Sequence, residues 1–219
     1  MKYNRIDNEL FINNRKKFVA EMDKSSIAVF NSNDIVIDCG ANFGSLWIYL
    51  NSFNLPLQYI CIEPGRLEFM GLKKSITFQK DTKINSFLIN KALSFTNGET
   101  NFFYSENSDS SIIAYEGFSE NYLVETITLE SLLIDIGLKN KNIKLLKLEA
   151  EGAEPEVIKG SLKTLKNIEY IAADLGPERG LNQESTLKEV TNILLKNNFE
   201  IIDFKFPRLC LLFKNICFD

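Results

Sequence analysis

The sequence predicts an α/β fold in which a mostly parallel sheet is flanked by helices and closed by an antiparallel hairpin near its C-terminal end. Three observations predict it. Short apolar runs alternate with amphipathic stretches from Ile35 onward; a glycine-flanked break, CGANFG, interrupts the first run; and two strand-like runs, EIIDFKF and RLCLLFKN, are separated only by Pro207. Parallel neighbours need long connections that cover both sheet faces, whereas two runs with no room for a helix between them pair antiparallel.

The elements follow in chain order. Residues 1–30 carry spaced apolar positions (Leu10, Phe11, Phe18, Val19, Met22) among charges. They predict an N-terminal helical segment that either packs on the core or serves as a lid over a cleft. Residues 31–219 are expected to form one domain. IVIDCG reads as a strand, Gly44 to Phe53 as a helix, Tyr59 to Pro64 as a second strand, Gly65 to Ile76 as a helix, and Lys83 to Leu93 as a third strand. From Ser94 to Leu133 the character changes. Turn chemistry at Asn97-Gly98, an aromatic strand-like run and the passage of VETITLESLL from alternation into a short helix predict a β-rich insertion in the middle of the fold. IKLLKLEAEGAE then reads as strand and loop, Pro155 to Leu165 as a helix with proline near its start, EYIAADLG as a strand, and Ser185 to Asn197 as a helix. A parallel sheet closed by one hairpin is the layout of the class I methyltransferase (Rossmann-like) fold.

Composition narrows the function. With 219 residues, 45% of them hydrophobic and 25% charged, the chain suits one compact domain. A formal net charge of -4 gives no electrostatic footprint for a nucleic-acid backbone or an anionic membrane, which leaves a small-molecule or saccharide partner. No apolar stretch approaches the roughly 20 residues of a membrane span, and MKYNRIDNELFINNRKK lacks the apolar centre of a secretory signal, so a cytoplasmic protein is expected. Cys39, Cys61, Cys210 and Cys217 show no CxxC spacing and read as reduced packing residues. The absence of histidine removes Ser-His triads, Cys-His proteases, HExxH metalloproteases and His-ligated zinc together. Acid-base work falls to carboxylates, Lys, Tyr or Cys.

Two stretches carry chemistry. In CGANFG a strand runs into glycines and a helix, a junction that offers main-chain N–H groups and lets a ligand approach where no Cβ intrudes. Glu63 ends the second strand near the roughly 20-residue offset at which an acid meets ribose hydroxyls in dinucleotide folds. Asn42 stands between Gly40 and Gly44, where a dinucleotide site wants glycine against the pyrophosphate, so S-adenosylmethionine (SAM) is favoured over a nicotinamide cofactor. In LLKLEAEGAEPEVIKG, strand alternation puts Leu145, Lys147, Glu149 and Glu151 on one face, with Lys147 and Glu149 projecting together near the strand's carboxyl end as catalytic groups or as a structural ion pair. IAADLGPERGLN ends the next strand on Asp174, a base, a metal ligand or a loop-ordering acceptor. Arg179 beyond it is either a solvated loop charge or a clamp for an anionic substrate group.

IDCGANFG, CIEP, NKAL, ETITLESLL and KLEAEGAEPEVIKG, in that order, resemble the FkbM-type SAM-dependent methyltransferases from about Ile35 to Asp174. The resemblance implies methyl transfer from SAM, usually to an oxygen of a sugar or other small metabolite. It implies that Asp38, Gly40, Asn42 and Gly44 surround the methionine part of SAM, that Glu63 meets the ribose hydroxyls and that Ala92 lies near the adenine. Glu149, Glu151 and Glu154 match the acidic strand-end motif, with Glu151 and Glu154 expected near the acceptor. The chain departs from the family pattern at Glu149 and Glu130, where the family usually has Asp. Asp174 or Glu149 is the expected proton acceptor, and a divalent ion held by these two acids is an open variant. A nicotinamide-dependent oxidoreductase and a catalytically inactive SAM-binding protein are the alternatives.

Overall fold

The computed structural model describes residues 30–79, 81–105, 110–206 and 208–218. The expected N-terminal helical segment and Pro207 lie outside the described residues. Ten strands and five α-helices are described: β1 (Ile35–Cys39), α1 (Ser45–Asn51), β2 (Gln58–Ile62), α2 (Arg66–Thr77), β3 (Asn85–Ile89), β4 (Ala92–Leu93), β5 (Gly98–Tyr104), β6 (Glu120–Ile127), α3 (Leu129–Asp135), β7 (Ile143–Leu148), α4 (Glu154–Ser161), β8 (Ile168–Asp174), α5 (Leu187–Lys196), β9 (Phe199–Lys205) and β10 (Cys210–Asn215).

The seven-stranded sheet runs β3-β2-β1-β7-β8-β10-β9. β3, β2, β1, β7 and β8 are mutually parallel, and β10 runs antiparallel to both β8 and β9. This is the predicted class I methyltransferase layout. β1 sits in the middle, and all five of its residues are buried. Its alternation sends Ile35, Ile37 and Cys39 into one core with residues of α3, α4 and α5, and Val36 into the other with residues of α1 and α2. The helices thus cover both faces, as parallel strands require.

The third strand differs from expectation. Lys83 to Leu93 reads as one run, yet the chain breaks at Asn90, whose side-chain amide donates to the carbonyls of Glu63 (2.8 Å) and Pro64 (3.2 Å). Beyond this anchor, β4 leaves the main sheet and pairs in parallel with β6, which pairs antiparallel with β5. The β-rich insertion is therefore a separate three-stranded sheet. α4 also ends earlier than predicted, and a short 3₁₀ turn, Leu165–Asn167, takes the chain into β8.

Gly40 shows how tightly the central strands are joined. Its φ is 74°, and a Cβ there would lie 1.8 Å from the Glu149 carbonyl oxygen beyond β7. Gly40→Ala is expected to lower unfolding free energy by about 2–5 kcal/mol, through backbone strain plus a main-chain collision, as read by the urea midpoint. An unchanged midpoint would contradict this packing.

Candidate functional site

Open parallel sheets bind ligands beyond the carboxyl ends of their strands. Here a cleft opens at that edge of β1, β2 and β7, with β4 and β5 of the small sheet as its other wall. Gly40, Asn42, Glu63, Ala92, Glu149 and Glu151 line it, all six singled out by sequence. Leu93, Phe102 and Ile112 add an apolar wall, and Glu68 a further carboxylate. A nucleoside fits this lining: apolar side chains for a base and carboxylates for hydroxyls.

The turn after β1 is knitted to the end of β2. The Gly40 and Ala41 amides both donate to the Ile62 carbonyl (3.0 and 3.1 Å), and the Gly44 amide donates to Ala41 (2.8 Å). The Asn42 amide donates to Glu63 Oε2 (2.8 Å), while Glu63 Oε1 accepts from the Gly65 amide (2.7 Å). These main-chain donors, expected to face a ligand, thus hold the turn in shape. Glu63 is 6% exposed. Burial pushes its carboxyl up to about 7, with the Gly65 and Asn42 amides restraining the rise. Gly44 does not line the cleft; it starts α1 with φ 91°.

Asp38 is buried beneath the turn instead of lining it. It is the register neighbour of Lys147 across β1 and β7. The Tyr59 hydroxyl donates to Asp38 Oδ2, and Lys147 Nζ lies 3.1 Å from Oδ1. Lys147 Nζ also donates to the Gly40 carbonyl (2.6 Å) and pairs with Glu149 Oε2 (2.9 Å). Burial alone would lower the ammonium's pKa, but Asp38 and Glu149 outweigh it and hold Lys147 above its ordinary value. The expected Lys147–Glu149 pair is therefore formed, within a larger network that reaches the glycine turn.

Arg208 was not picked out by sequence, and it organises the rim. Its Nη2 lies 2.5 Å from Asp174 Oδ2, 3.3 Å from Glu149 Oε1 and 3.9 Å from Glu178 Oε1. Burial pushes Glu149 up, but Lys147 and then Arg208 outweigh it and hold its carboxyl below the ordinary value. Glu178, also unforeseen, is pushed up to about 7 by burial and then by Asp174. The space between Glu149 and Asp174, the position open to a divalent ion in the sequence reading, holds the Arg208 guanidinium, and no group of three side chains that could hold a metal occurs among the described residues.

Two residues expected near the acceptor are engaged elsewhere. Arg179 makes a bidentate pair with Glu156 (2.7 Å twice) and donates to the Gly152 carbonyl, so its guanidinium fastens the loop after β8 to α4. Glu154 is 1% exposed; its Oε1 accepts from the Ala150 and Gly152 amides (2.8 and 3.2 Å) and its Oε2 from the Thr186 hydroxyl (3.0 Å). Such a carboxylate orders the loop after β7 at the start of α4. All four cysteines are free, and Cys39 and Cys61 are buried.

The strand order, the glycine turn and the acids at the ends of β2 and β7 define a class I methyltransferase fold. A sequence model of the "Methyltransferase FkbM domain" matches residues 38–201, and the chain belongs to that family. Among curated proteins none matches the sequence significantly. Solved structures share the fold at low identity. A candidate rRNA methylase from Clostridium thermocellum is 12% identical at a TM-score of 0.52, over 90% of this chain and 94% of that one. Magnesium protoporphyrin IX methyltransferase from Synechocystis PCC 6803, with bound SAM, is 11% identical at 0.51, over 98% and 86%. Aeropyrum pernix fibrillarin, with natively bound SAM, is 11% identical at 0.51, over 90% and 73%.

Removing one member of a buried ion pair strands the other charge. Lys147→Met is expected to destabilise the protein by about 3–5 kcal/mol in urea unfolding at pH 7, because Asp38 at 1% exposure loses its cation. A loss below about 1 kcal/mol, the size of a surface pair, would show that the network is not structural.

Proposed function

We propose that the chain is a SAM-dependent methyltransferase that methylates a hydroxyl of a saccharide, glycoconjugate or other small metabolite in the cytoplasm. The observation that carries this reading is the continuity of the cleft with the acidic rim: Glu149 lines the cleft, and Arg208 links it to Asp174 on the next strand. SAM, when bound, supplies a methyl group on a sulfonium. The cleft residues hold and orient, with Gly40 and Asn42 beside the methionine part, Glu63 at the ribose and Ala92 near the adenine.

The rim's task is to take the acceptor's proton. An acceptor hydroxyl would become acidic only as its oxygen is methylated, so a carboxylate would suffice as late base. Asp174 is the stronger choice: one cation, Arg208, faces it, whereas Glu149 is held ionised by two, Lys147 and Arg208. Carboxylates also accept hydrogen bonds from a polyol and repel a phosphate backbone. This favours a sugar-like acceptor over RNA, although one of the structural relatives is a candidate rRNA methylase.

Calorimetry with SAM and NAD side by side tests the cofactor, and label transfer from SAM to saccharide and RNA panels tests the acceptor. NAD binding without SAM binding would overturn the reading. Asp174→Asn is expected to cut turnover by about 10²–10⁴-fold while leaving the Kd for SAM within about threefold; Glu149→Gln is expected to have the smaller effect. Full activity in both variants would remove the carboxylate base.

Glu63 gives the cofactor step a pH dependence. Ribose hydroxyls donate best to an ionised carboxylate, and Glu63 in the free protein loses its proton only near pH 7. Below that value the proton must leave before the hydroxyls can donate, so the Kd for S-adenosylhomocysteine is expected to rise by up to about tenfold per unit as pH falls from 7, and to level off above 8. A flat calorimetric profile from pH 5.5 to 8.5 would contradict this role.

A further inference from the structure

The inner stripe of α2 consists of Glu68, Leu72 and Ile76, at i, i+4 and i+8. Helical spacing of this kind buries apolar side chains, and Leu72 and Ile76 do pack into the core shared with α1. At the end of the stripe nearest the cleft the apolar side chain is replaced by a carboxylate. Glu68 is 7% exposed, lines the cleft, and its Oε2 is buried with no hydrogen-bond partner among the described residues. No cation is paired with it among them. A carboxylate left so is costly, and a native fold retains one where something else completes it.

Its neighbour indicates what that is. A Cβ on Gly65 would lie 2.3 Å from Glu68 Oε2 and 2.9 Å from Glu63 Oε1, so the two carboxylates flank one point of backbone that has no side chain. Each Glu63 oxygen already accepts one main-chain N–H, which leaves one further site on each, and Glu68 Oε2 stands beside Oε1 as an additional acceptor. Two adjacent hydroxyls of a ribose need two acceptors side by side. Lys147 is a cation that acts on Glu63, but its ammonium is committed to Asp38, Glu149 and the Gly40 carbonyl. Arg66, next to Gly65, stacks its guanidinium 4.2 Å from the centre of the Tyr122 ring. The acceptors of the pair are therefore left open to hydrogen-bond donors entering the cleft.

We propose that Glu68 is a second cofactor-positioning residue, which with Glu63 forms a two-carboxylate clamp on the vicinal diol of the bound nucleoside. This rests on the cofactor reading above and adds a residue to it. It also sets a specificity: the cleft selects ribonucleosides with both hydroxyls free, and it rejects a phosphate on either one through the repulsion of two carboxylates.

Calorimetry with S-adenosylhomocysteine and its 2′,3′-dideoxy analogue tests the clamp on wild type, Glu68→Gln and Glu68→Ala, with circular dichroism and thermal melting reporting the fold. For S-adenosylhomocysteine, Glu68→Ala is expected to lose about 10- to 100-fold in affinity and Glu68→Gln less, because the amide keeps one acceptor. For the dideoxy analogue, wild type and both variants are expected to bind alike. Affinity for S-adenosylhomocysteine within twofold of wild type in both variants would overturn the clamp, and so would an equal loss for both ligands, which would mark Glu68 as structural or as facing the base. Wild type that fails to bind S-adenosylhomocysteine would overturn the cofactor reading and the clamp together.

Discussion

Everything at the ligand edge of the sheet depends on the ammonium of Lys147. It lies on β7 in register with Asp38 on β1, and it reaches across to the Gly40 carbonyl as well as to Glu149. A carboxylate at the middle of the most buried strand is tolerable only because that cation and the Tyr59 hydroxyl meet it. The same ammonium fixes one side of the glycine turn, and Glu63 fixes the other through the Asn42 amide. The turn is thus held from both sides by polar side chains, in addition to its main-chain bonds to Ile62 and the packing of Ala41 in the core. This permits a short seven-residue α1 to begin at a defined place despite having no side-chain cap.

From Lys147 the alternation of charge continues outward. Tyr59, Asp38, Lys147, Glu149, Arg208 and Asp174 form one chain of contacts that crosses four neighbouring strands and the turn before β10. Its inner end is buried and structural, and its outer end is open to solvent at the 63% exposed side chain of Arg208. Such a series couples the acids of the rim to the groups that shape the glycine turn. A change of charge at one member alters its neighbours on both sides.

Much of this was legible in the sequence because it is local. A strand running into glycines, an acid closing the next strand, and a Lys and a Glu two residues apart on a strand are short-range patterns, and the elements they predicted lie where expected. The final hairpin was legible from the lack of room for a crossover helix. What was hidden depends on contacts between distant positions. Arg208 and Glu149 are 59 residues apart, and nothing in RLCLLFKN marks the arginine as part of an acidic rim. Arg179 finds Glu156, 23 residues away, and so turns to α4, although its place after β8 suggested the cleft mouth. The break at Asn90 was invisible for the same reason, since its side chain bonds carbonyls 26 and 27 residues earlier. Glu68 carried a signal that could have been read: a charged residue in phase with Leu72 and Ile76 on an amphipathic helix.

The departure of the chain at Asn90 has an effect beyond local geometry. By leaving the main sheet there, the polypeptide builds the far wall of the cleft from β4 and β5, elements that share no strand pairing with the seven-stranded sheet. The scaffold that fixes Glu63 and the glycine turn and the panel beside them are therefore hydrogen-bonded as separate sheets, although Leu93 and Ile127 anchor the panel in the main core. Change at the outer strand β5 would alter the shape of what is admitted while leaving the pairing of the buried strands intact.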